Sequence, residues 1–263
     1  MRQNNVRAAW RQGRAVVNGW LAIPSGYSAE VVGQSGFDAV TVDMQHGMMG
    51  FDGALAMLQA LSATPAVPFA RVTSNDPALI MRLLDAGAYG LICPMISTAD
   101  QARSFVDACR YPPVGHRSFG PARGLLFGGS DYFACANDEI VTLAMIETVD
   151  GLENLDAIVA TEGLDGIYVG PNDLCLALGM PPVAESKEPA VVEAIERIVG
   201  ACRKAGKAAG IFCSSGAAAA ERVRQGFTMV TPGNDANMLG GAARRAVAAA
   251  RGEDVDPAGK SGY

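Results

Sequence analysis

The sequence predicts an α/β fold, a single (β/α)8 or TIM barrel, and three observations carry that prediction. Short apolar or β-branched runs alternate with longer helical patterns along the chain, the mark of βαβ units around a parallel sheet. Eight such runs can be counted, each followed by a helical stretch or a polar turn. A length of 263 residues suits eight β/α steps and favours closure into a barrel over an open, doubly wound sheet.

Taken in order, the strands are expected at residues 16–23, 39–42, 67–72, 90–94, 141–146, 166–169, 209–213 and 228–230. Helical periodicity predicts helices over 51–62, 77–86, 99–109, 189–205, 216–225 and 236–250. Residues 110–137 are expected to be irregular, with Tyr-Pro-Pro, several glycines, Arg117 and Arg123 between the fourth and fifth strands. A loop of that length in a compact domain is usually functional. The barrel is expected to occupy residues 1–251, with 252–263 a polar tail. Gly-Lys-Ser at 259–261 is no phosphate-binding loop, because Asp254 stands where that motif needs glycine.

Composition removes several classes of function. A net charge of -6 leaves no basic excess for nucleic acid or anionic lipid. The first twenty residues scatter Arg2, Arg7, Arg11 and Arg14 among polar residues without an apolar stretch, so neither a secretory signal nor a membrane span is expected. Six cysteines, none in a C-x-x-C pair, read as reduced and mostly buried thiols of a cytoplasmic protein.

Barrel enzymes carry their chemistry at the C-terminal ends of strands, and several reactive side chains fall there. The second strand runs out into Asp43-Met44-Gln45-His46-Gly47, the third into Arg71, the fifth into Met145-Ile146-Glu147 and the sixth into Gly170-Pro171-Asn172-Asp173. His46, one of two histidines, is placed where a proton carrier would stand, with Asp43 or Asp85 to orient it. Glu147 and Asp173 lie one β/α/β step apart, so their carboxylates should converge over the barrel mouth. Two such oxygen donors suit a Mg2+-like ion whose other positions go to water and substrate. The backbone N–H groups of Asn172 and Asp173, at the start of a helix, suit a carboxylate. Arg71 closes an apolar strand and suits an enolate or carboxylate oxygen. The four lysines, Lys187, Lys204, Lys207 and Lys260, all lie away from strand C-termini, which argues for a metal-assisted route over a Schiff base.

Together, Asp-Met-Gln-His-Gly, Arg-Val-x-x-Asn-Asp-Pro, Met-Ile-Glu-Thr and Gly-Pro-Asn-Asp-Leu resemble the class II pyruvate aldolases of the HpcH/HpaI family, the 4-hydroxy-2-oxoheptanedioate and 2-keto-3-deoxy-L-rhamnonate aldolase group of the phosphoenolpyruvate/pyruvate-domain superfamily. Tyr-Ser-Ala-Glu at 27–30, Leu-Leu-Asp-Ala-Gly at 83–87 and Arg-Tyr-Pro-Pro at 110–113 extend the similarity over nearly the whole chain. The resemblance implies a barrel whose eighth helix is exchanged between subunits of a hexamer, a trimer of dimers. It implies Mg2+, Mn2+ or Co2+ on Glu147 and Asp173, with no organic cofactor, and a 2-keto acid chelating that ion. It implies Arg71 steadying the enolate oxygen and His46 moving the proton, with Asp85 reaching it from a neighbouring subunit. Gln45 stands where many relatives have glutamate, and Met145 where the heptanedioate aldolase has glutamine. With Phe212, Arg117, Ser118 and Arg123, these positions bear on the choice of donor and aldehyde. The implied reaction joins or cleaves a 4-hydroxy-2-keto acid from pyruvate or hydroxypyruvate and an aldehyde. The rival readings are a citrate-lyase-like lyase of acyl-CoA esters, which needs a basic groove, and a barrel that binds a keto acid without turning it over.

Overall fold

Eight parallel strands, β1 (Val16–Leu21), β2 (Ala39–Asp43), β3 (Val67–Arg71), β4 (Gly90–Cys93), β5 (Val141–Ile146), β6 (Gly166–Val169), β7 (Ala208–Cys213) and β8 (Met229–Pro232), close into a barrel in chain order. The closure is made by β8 pairing with β1, Val16 opposite Met229 and Val17 opposite Val230. The structure, a computed structural model, describes residues 1–253. The expected polar tail therefore lies, from residue 254 on, outside the described residues.

Helix α1 (Asn5–Arg11) precedes the barrel, and α2 (Gly26–Gly33), α3 (Phe51–Leu61), α4 (Pro77–Asp85) and α5 (Ala99–Cys109) follow the first four strands in turn. Two short helices, α6 (Ala122–Gly128) and α7 (Tyr132–Glu139), lead into β5, and α8 (Val149–Glu153) and α9 (Leu155–Val159) leave it. After β6 come α10 (Pro171–Ala177) and α11 (Pro189–Lys204), then α12 (Gly216–Gln225) after β7 and α13 (Asp235–Arg251) after β8. No helix among the described residues is long and apolar enough to cross a membrane.

Every residue of β2, β3, β4, β5 and β6 is buried, as expected of strands covered by helices outside and by side chains inside the barrel. The interior is filled by rings set against glycines. A Cβ on Gly90 would lie 2.3 Å from the Phe69 ring, and one on Gly210 would lie 2.5 Å from the Tyr168 ring, so only glycine leaves those rings their space. Polar groups in this core are paired with one another: Thr41 Oγ1 donates to Asn18 Oδ1 (3.0 Å), Asn18 Nδ2 to Thr231 Oγ1 (2.9 Å) and Tyr168 Oη to Thr231 Oγ1 (2.6 Å).

Where the elements depart from expectation, a hydrogen bond accounts for the largest differences. The first strand stops at Leu21 because the N–H of Ala22 leaves the ladder to bond the Asp235 carboxylate at 2.7 Å, and that of Ile23 follows it. The unanticipated α1 is capped by Asn4, whose side chain accepts from Val6 N, and buries Val6 and Ala9. Residues 110–137, expected to be irregular, instead hold α6 and the start of α7. Their anchor is Arg117, a fully buried guanidinium bonded to Asp85 (2.7 Å) and Tyr132 Oη (3.1 Å).

Two of the outer helices differ sharply. Helix α11 buries Val191, Ala194, Ile195, Ile198, Val199 and Cys202 against the barrel. Helix α13, capped by Asn234, buries only Asp235, its first residue, while Leu239 and Val247 stand exposed.

Candidate active site

Parallel register brings the last residues of β2 and β3, Asp43 and Arg71, side by side at the mouth. Arg71 clasps the Asp43 carboxylate with both arms, Nε to Oδ1 at 2.8 Å and Nη2 to Oδ2 at 2.6 Å, and both side chains are almost wholly buried. From β1, Trp20 donates its indole N–H to Asp43 Oδ2 at 3.1 Å, and its ring lies 4.9 Å from the Arg71 guanidinium carbon. The other Asp43 oxygen accepts from the backbone N–H groups of Gln45 (3.1 Å) and His46 (3.3 Å), fixing the turn that carries His46. Burial pushes the Asp43 pKa up, but the bonds and charge of Arg71, helped by Trp20 and His46 N–H, outweigh it and hold the carboxyl below its ordinary value. Met145, from β5, accepts a long contact from Arg71 Nη1 to its sulfur at 3.9 Å.

Glu147, one residue beyond β5, is buried, and its Oε1 accepts the Met95 N–H at 2.9 Å. Its Oε2 has no hydrogen-bond partner, a costly state for a buried carboxylate oxygen. That oxygen reaches so close to Gly170 that a Cβ there would lie 2.1 Å away, so glycine is needed to let the carboxylate in. Burial, then the neighbouring charge of Asp173, raise the Glu147 pKa to about 7 against the pull of Met95 N–H and Arg71. Asp173 stands in the first turn of α10, whose N-terminus carries no side-chain cap. The backbone N–H groups of Asn172 and Asp173, among the first four of that helix, have no acceptor within it. Two carboxylates, one of them with an orphaned buried oxygen, fit a hard divalent cation that keeps its remaining positions for water and ligand oxygens. Among the described residues no cluster of three or more His, Cys, Asp or Glu side chains forms a closed metal cage.

Except for Glu147, which sits behind Gly170 and does not itself border it, and its partner Met95, these groups line one cavity of about 300 Å³ at the C-terminal end of the strands. Of the residues read from the sequence, Asp43, His46, Arg71, Met145, Gly170, Pro171, Asn172, Asp173 and Phe212 all border it. Asp85 and Arg123 are not brought to it by their own chain. Asp85 is the last residue of α4, which runs down to the start of β4, and it bonds Arg117; its pKa is raised by burial despite that bond. Within this chain the Arg123 guanidinium donates instead to Ala86 O and Ser62 Oγ, each at 2.6 Å, at the C-terminal ends of α4 and α3. Burial lowers the Arg123 pKa. Sequence reasoning missed Trp20, which read as one more apolar residue of a strand, and Asn234, which caps α13 and borders the cavity. The spacing of Trp20 to Asp43, one β/α/β step, was the available signal.

The profile of the HpcH/HpaI aldolase/citrate lyase family matches residues 18–242. A hydroxypyruvate/pyruvate aldolase of Rhizorhabdus wittichii is 45% identical over 248 residues, 94% of this chain and 99% of that protein. A 4-hydroxy-2-oxo-heptane-1,7-dioate aldolase of Shigella sonnei is 37% identical over 244 residues, 92% of each chain. A crystal structure of a HpcH/HpaI aldolase/citrate lyase family protein from Burkholderia cenocepacia shares the fold with a TM-score of 0.89 at 32% identity, covering 95% of this chain and 100% of that one.

Proposed function

Because the chain belongs to the HpcH/HpaI aldolase/citrate lyase family, we propose that it is a divalent-metal-dependent aldolase that reversibly cleaves or forms a 4-hydroxy-2-keto acid from pyruvate or hydroxypyruvate and an aldehyde. The observation that carries the metal requirement is the Glu147 Oε2 atom, buried, unpartnered and coupled to Asp173. Glu147 and Asp173 hold the cation, Mg2+, Mn2+ or Co2+. When bound, such an ion polarises the keto group and stabilises the negative charge that develops as the carbon–carbon bond breaks or forms.

The chain's own residues supply the rest. Arg71, fixed by Asp43 and Trp20 before any ligand arrives, steadies the enolate oxygen at no cost in reorganisation. The N–H groups of Asn172 and Asp173 receive the keto-acid carboxylate over Gly170 and Pro171. His46, held by its backbone to Asp43, takes the proton from the C4 hydroxyl on cleavage and returns it on condensation. Met145 and Phe212 shape the walls. Among the described residues no lysine borders the cavity, which leaves an imine route without a nucleophile from them. Among the same residues Arg71 and His46 are its basic side chains, which favours a small keto acid over an acyl-CoA ester with its several phosphates.

Helix α13, anchored by Asp235 and bare beyond it, packs on a second copy of the chain in a hexamer built as a trimer of dimers, and that exchange also brings Asp85 of a neighbour toward His46. Sedimentation of the purified protein tests this: a monomer at micromolar concentration rejects it.

The decisive experiment is condensation of pyruvate or hydroxypyruvate with a panel of aldehydes, with and without chelator and with each ion restored. Activity lost to chelator and regained with a divalent ion is the expected result, and full activity in the ion-stripped protein rejects the proposal. Exchange of the pyruvate C3 protons in heavy water separates turnover from mere binding; metal and pyruvate binding without exchange supports the non-catalytic reading instead.

A further inference from the structure

A second cavity, of about 650 Å³, continues from the first, and the two share His46, Asn172, Asp173 and Phe212. Its outer wall comes from the segment between α10 and α11, from the end of β7 and from α13. That wall mixes apolar surface, Leu176 and Val183, with the neutral polar side chains of Ser214 and Asn237. The ionisable side chains around it are His46, Asp173 and Glu185, with no lysine or arginine among them. Glu185 is held in place there: its Oε1 accepts the Ser214 N–H at 2.7 Å and its Oε2 the Ser214 hydroxyl at 2.6 Å. Whether or not a cation neutralises Asp173, Glu185 keeps this wall anionic.

Resting on the aldolase reading above, we infer that this second cavity receives the aldehyde and that Glu185 selects short, uncharged, hydroxylated aldehydes over aldehydes ending in a carboxylate. In condensation the C3 carbon of the keto acid loses a proton and bonds the aldehyde carbon, whose oxygen takes up a proton; the step needs no oxidant or reductant. The far end of the aldehyde then points away from the keto-acid pocket into the second cavity. A hydroxyl there can both donate to Glu185 and accept from an amide or hydroxyl of the wall. A carboxylate meets like charge with no lysine or arginine among the described residues that line the cavity, a penalty that sets specificity by repulsion.

The test compares two four-carbon aldehydes of equal length, 4-hydroxybutanal and succinate semialdehyde, by kcat/KM with pyruvate and the best divalent ion. The wild-type enzyme is expected to prefer the neutral aldehyde at least tenfold, and the preference is expected to shrink as salt screens the charge. Glu185→Gln, which keeps the shape and one acceptor, is expected to narrow the ratio to within about threefold, and Glu185→Lys to invert it. Ser214→Ala loosens the clasp without changing the charge and is expected to keep the preference. An equal or reversed preference in the wild-type protein overturns the inference, as does a ratio that Glu185→Gln and Glu185→Lys leave unmoved or that Ser214→Ala abolishes. Pyruvate C3 proton exchange in the wild-type protein, measured without aldehyde, keeps the two readings apart. Absent exchange rejects the aldolase assignment itself, whereas exchange with the wrong aldehyde ratio rejects only the role of Glu185.

Discussion

Two carboxylates at opposite ends of the barrel, the half-buried Asp165 and the buried Glu147, are treated in opposite ways. Asp165, just before β6 at the N-terminal end, is saturated with donors: Arg7 at 2.7 Å, Arg110 at 3.3 Å, and the backbone N–H and hydroxyl of Thr142 at 2.8 and 3.1 Å. Glu147, just after β5 at the C-terminal end, has one donor and an orphaned oxygen, and shares its neighbourhood with another acid. The first arrangement ties α1, β5 and β6 together and leaves nothing for a ligand to gain. The second leaves a buried oxygen that a proton or a cation can satisfy. A barrel can tolerate such a defect where a ligand repairs it, and the difference separates architecture from site: the more deeply buried of the two carboxylates is the one left with fewer donors.

The largest expected effect falls on the unsatisfied end. Glu147→Gln, like Glu147→Ala or Asp173→Ala, should reduce metal-dependent condensation by more than about a thousandfold, the scale of several kcal/mol of transition-state charge stabilisation. The same variant should melt no lower than the wild-type apoprotein, because it removes an uncompensated buried charge. If Glu147→Gln instead unfolds the chain and leaves the activity of the surviving fraction intact, the contrast between the two ends collapses. Asp165→Ala should do the reverse. Stripping Arg110 and Thr142 of their partner should cost about 3 kcal/mol of stability by denaturant titration, while kcat/KM of the folded fraction stays near the wild-type value.

Titration sharpens the same contrast. The pKa of Glu147 is raised from 4.5 to about 7 by burial and then by Asp173. A raised carboxyl pKa means that its contribution to the stability of the metal-free chain is full below the unfolded value and is lost as pH rises toward 7. The loss is at most about 3 kcal/mol. A divalent cation needs both carboxylates ionised and relieves their repulsion, so its binding releases a proton below pH 7. Saturating Mg2+ or Mn2+ should therefore raise Tm more at pH 8 than at pH 5.5, and cation affinity by calorimetry should climb up to about tenfold per pH unit before levelling above 7. A pH-independent affinity would show that Glu147 is not a ligand.

Much of the scaffold was legible in the sequence because fully covered parallel strands demand continuous apolar runs, and those runs mark themselves. The ends of β5 and β6 were placed to the residue for that reason, and with them Glu147 and Asp173. Less legible were elements whose cause lies far away in the chain. The stop of β1 depends on Asp235, more than two hundred residues on, and the order within residues 110–137 depends on Arg117 finding Asp85 and Tyr132. Helix α13 reads like any outer helix, yet its periodicity cannot say that only its first residue, Asp235, is buried. Arg123 is illegible for the same reason: a basic residue in a loop rich in glycine looks available for substrate, but within this chain its guanidinium bonds the Ala86 carbonyl and the Ser62 hydroxyl.

Trp20 gives the smallest and most discriminating test. It touches both members of the buried pair, the Asp43 carboxylate through its N–H and the Arg71 guanidinium through its ring face, and it packs against Tyr168 and Phe212 at ring separations of 5.6 and 5.8 Å. Trp20→Phe keeps an aromatic face while removing the N–H and part of the ring, so it combines the loss of one hydrogen bond worth about 1 kcal/mol, or roughly fivefold, with a cavity cost that falls on stability. If that bond merely supports the core, stability falls and the kinetics of the folded enzyme do not change. If it sets the angle at which Arg71 meets the enolate, kcat falls about fivefold while KM for pyruvate holds, because the lost contact matters more in the transition state than in the bound substrate. The chain has two tryptophans, so replacing Trp10 with phenylalanine leaves Trp20 as the sole indole reporter. Its emission should shift when metal and pyruvate fill the cavity it lines, and an unresponsive Trp20 beside an intact kcat would return this residue to the core.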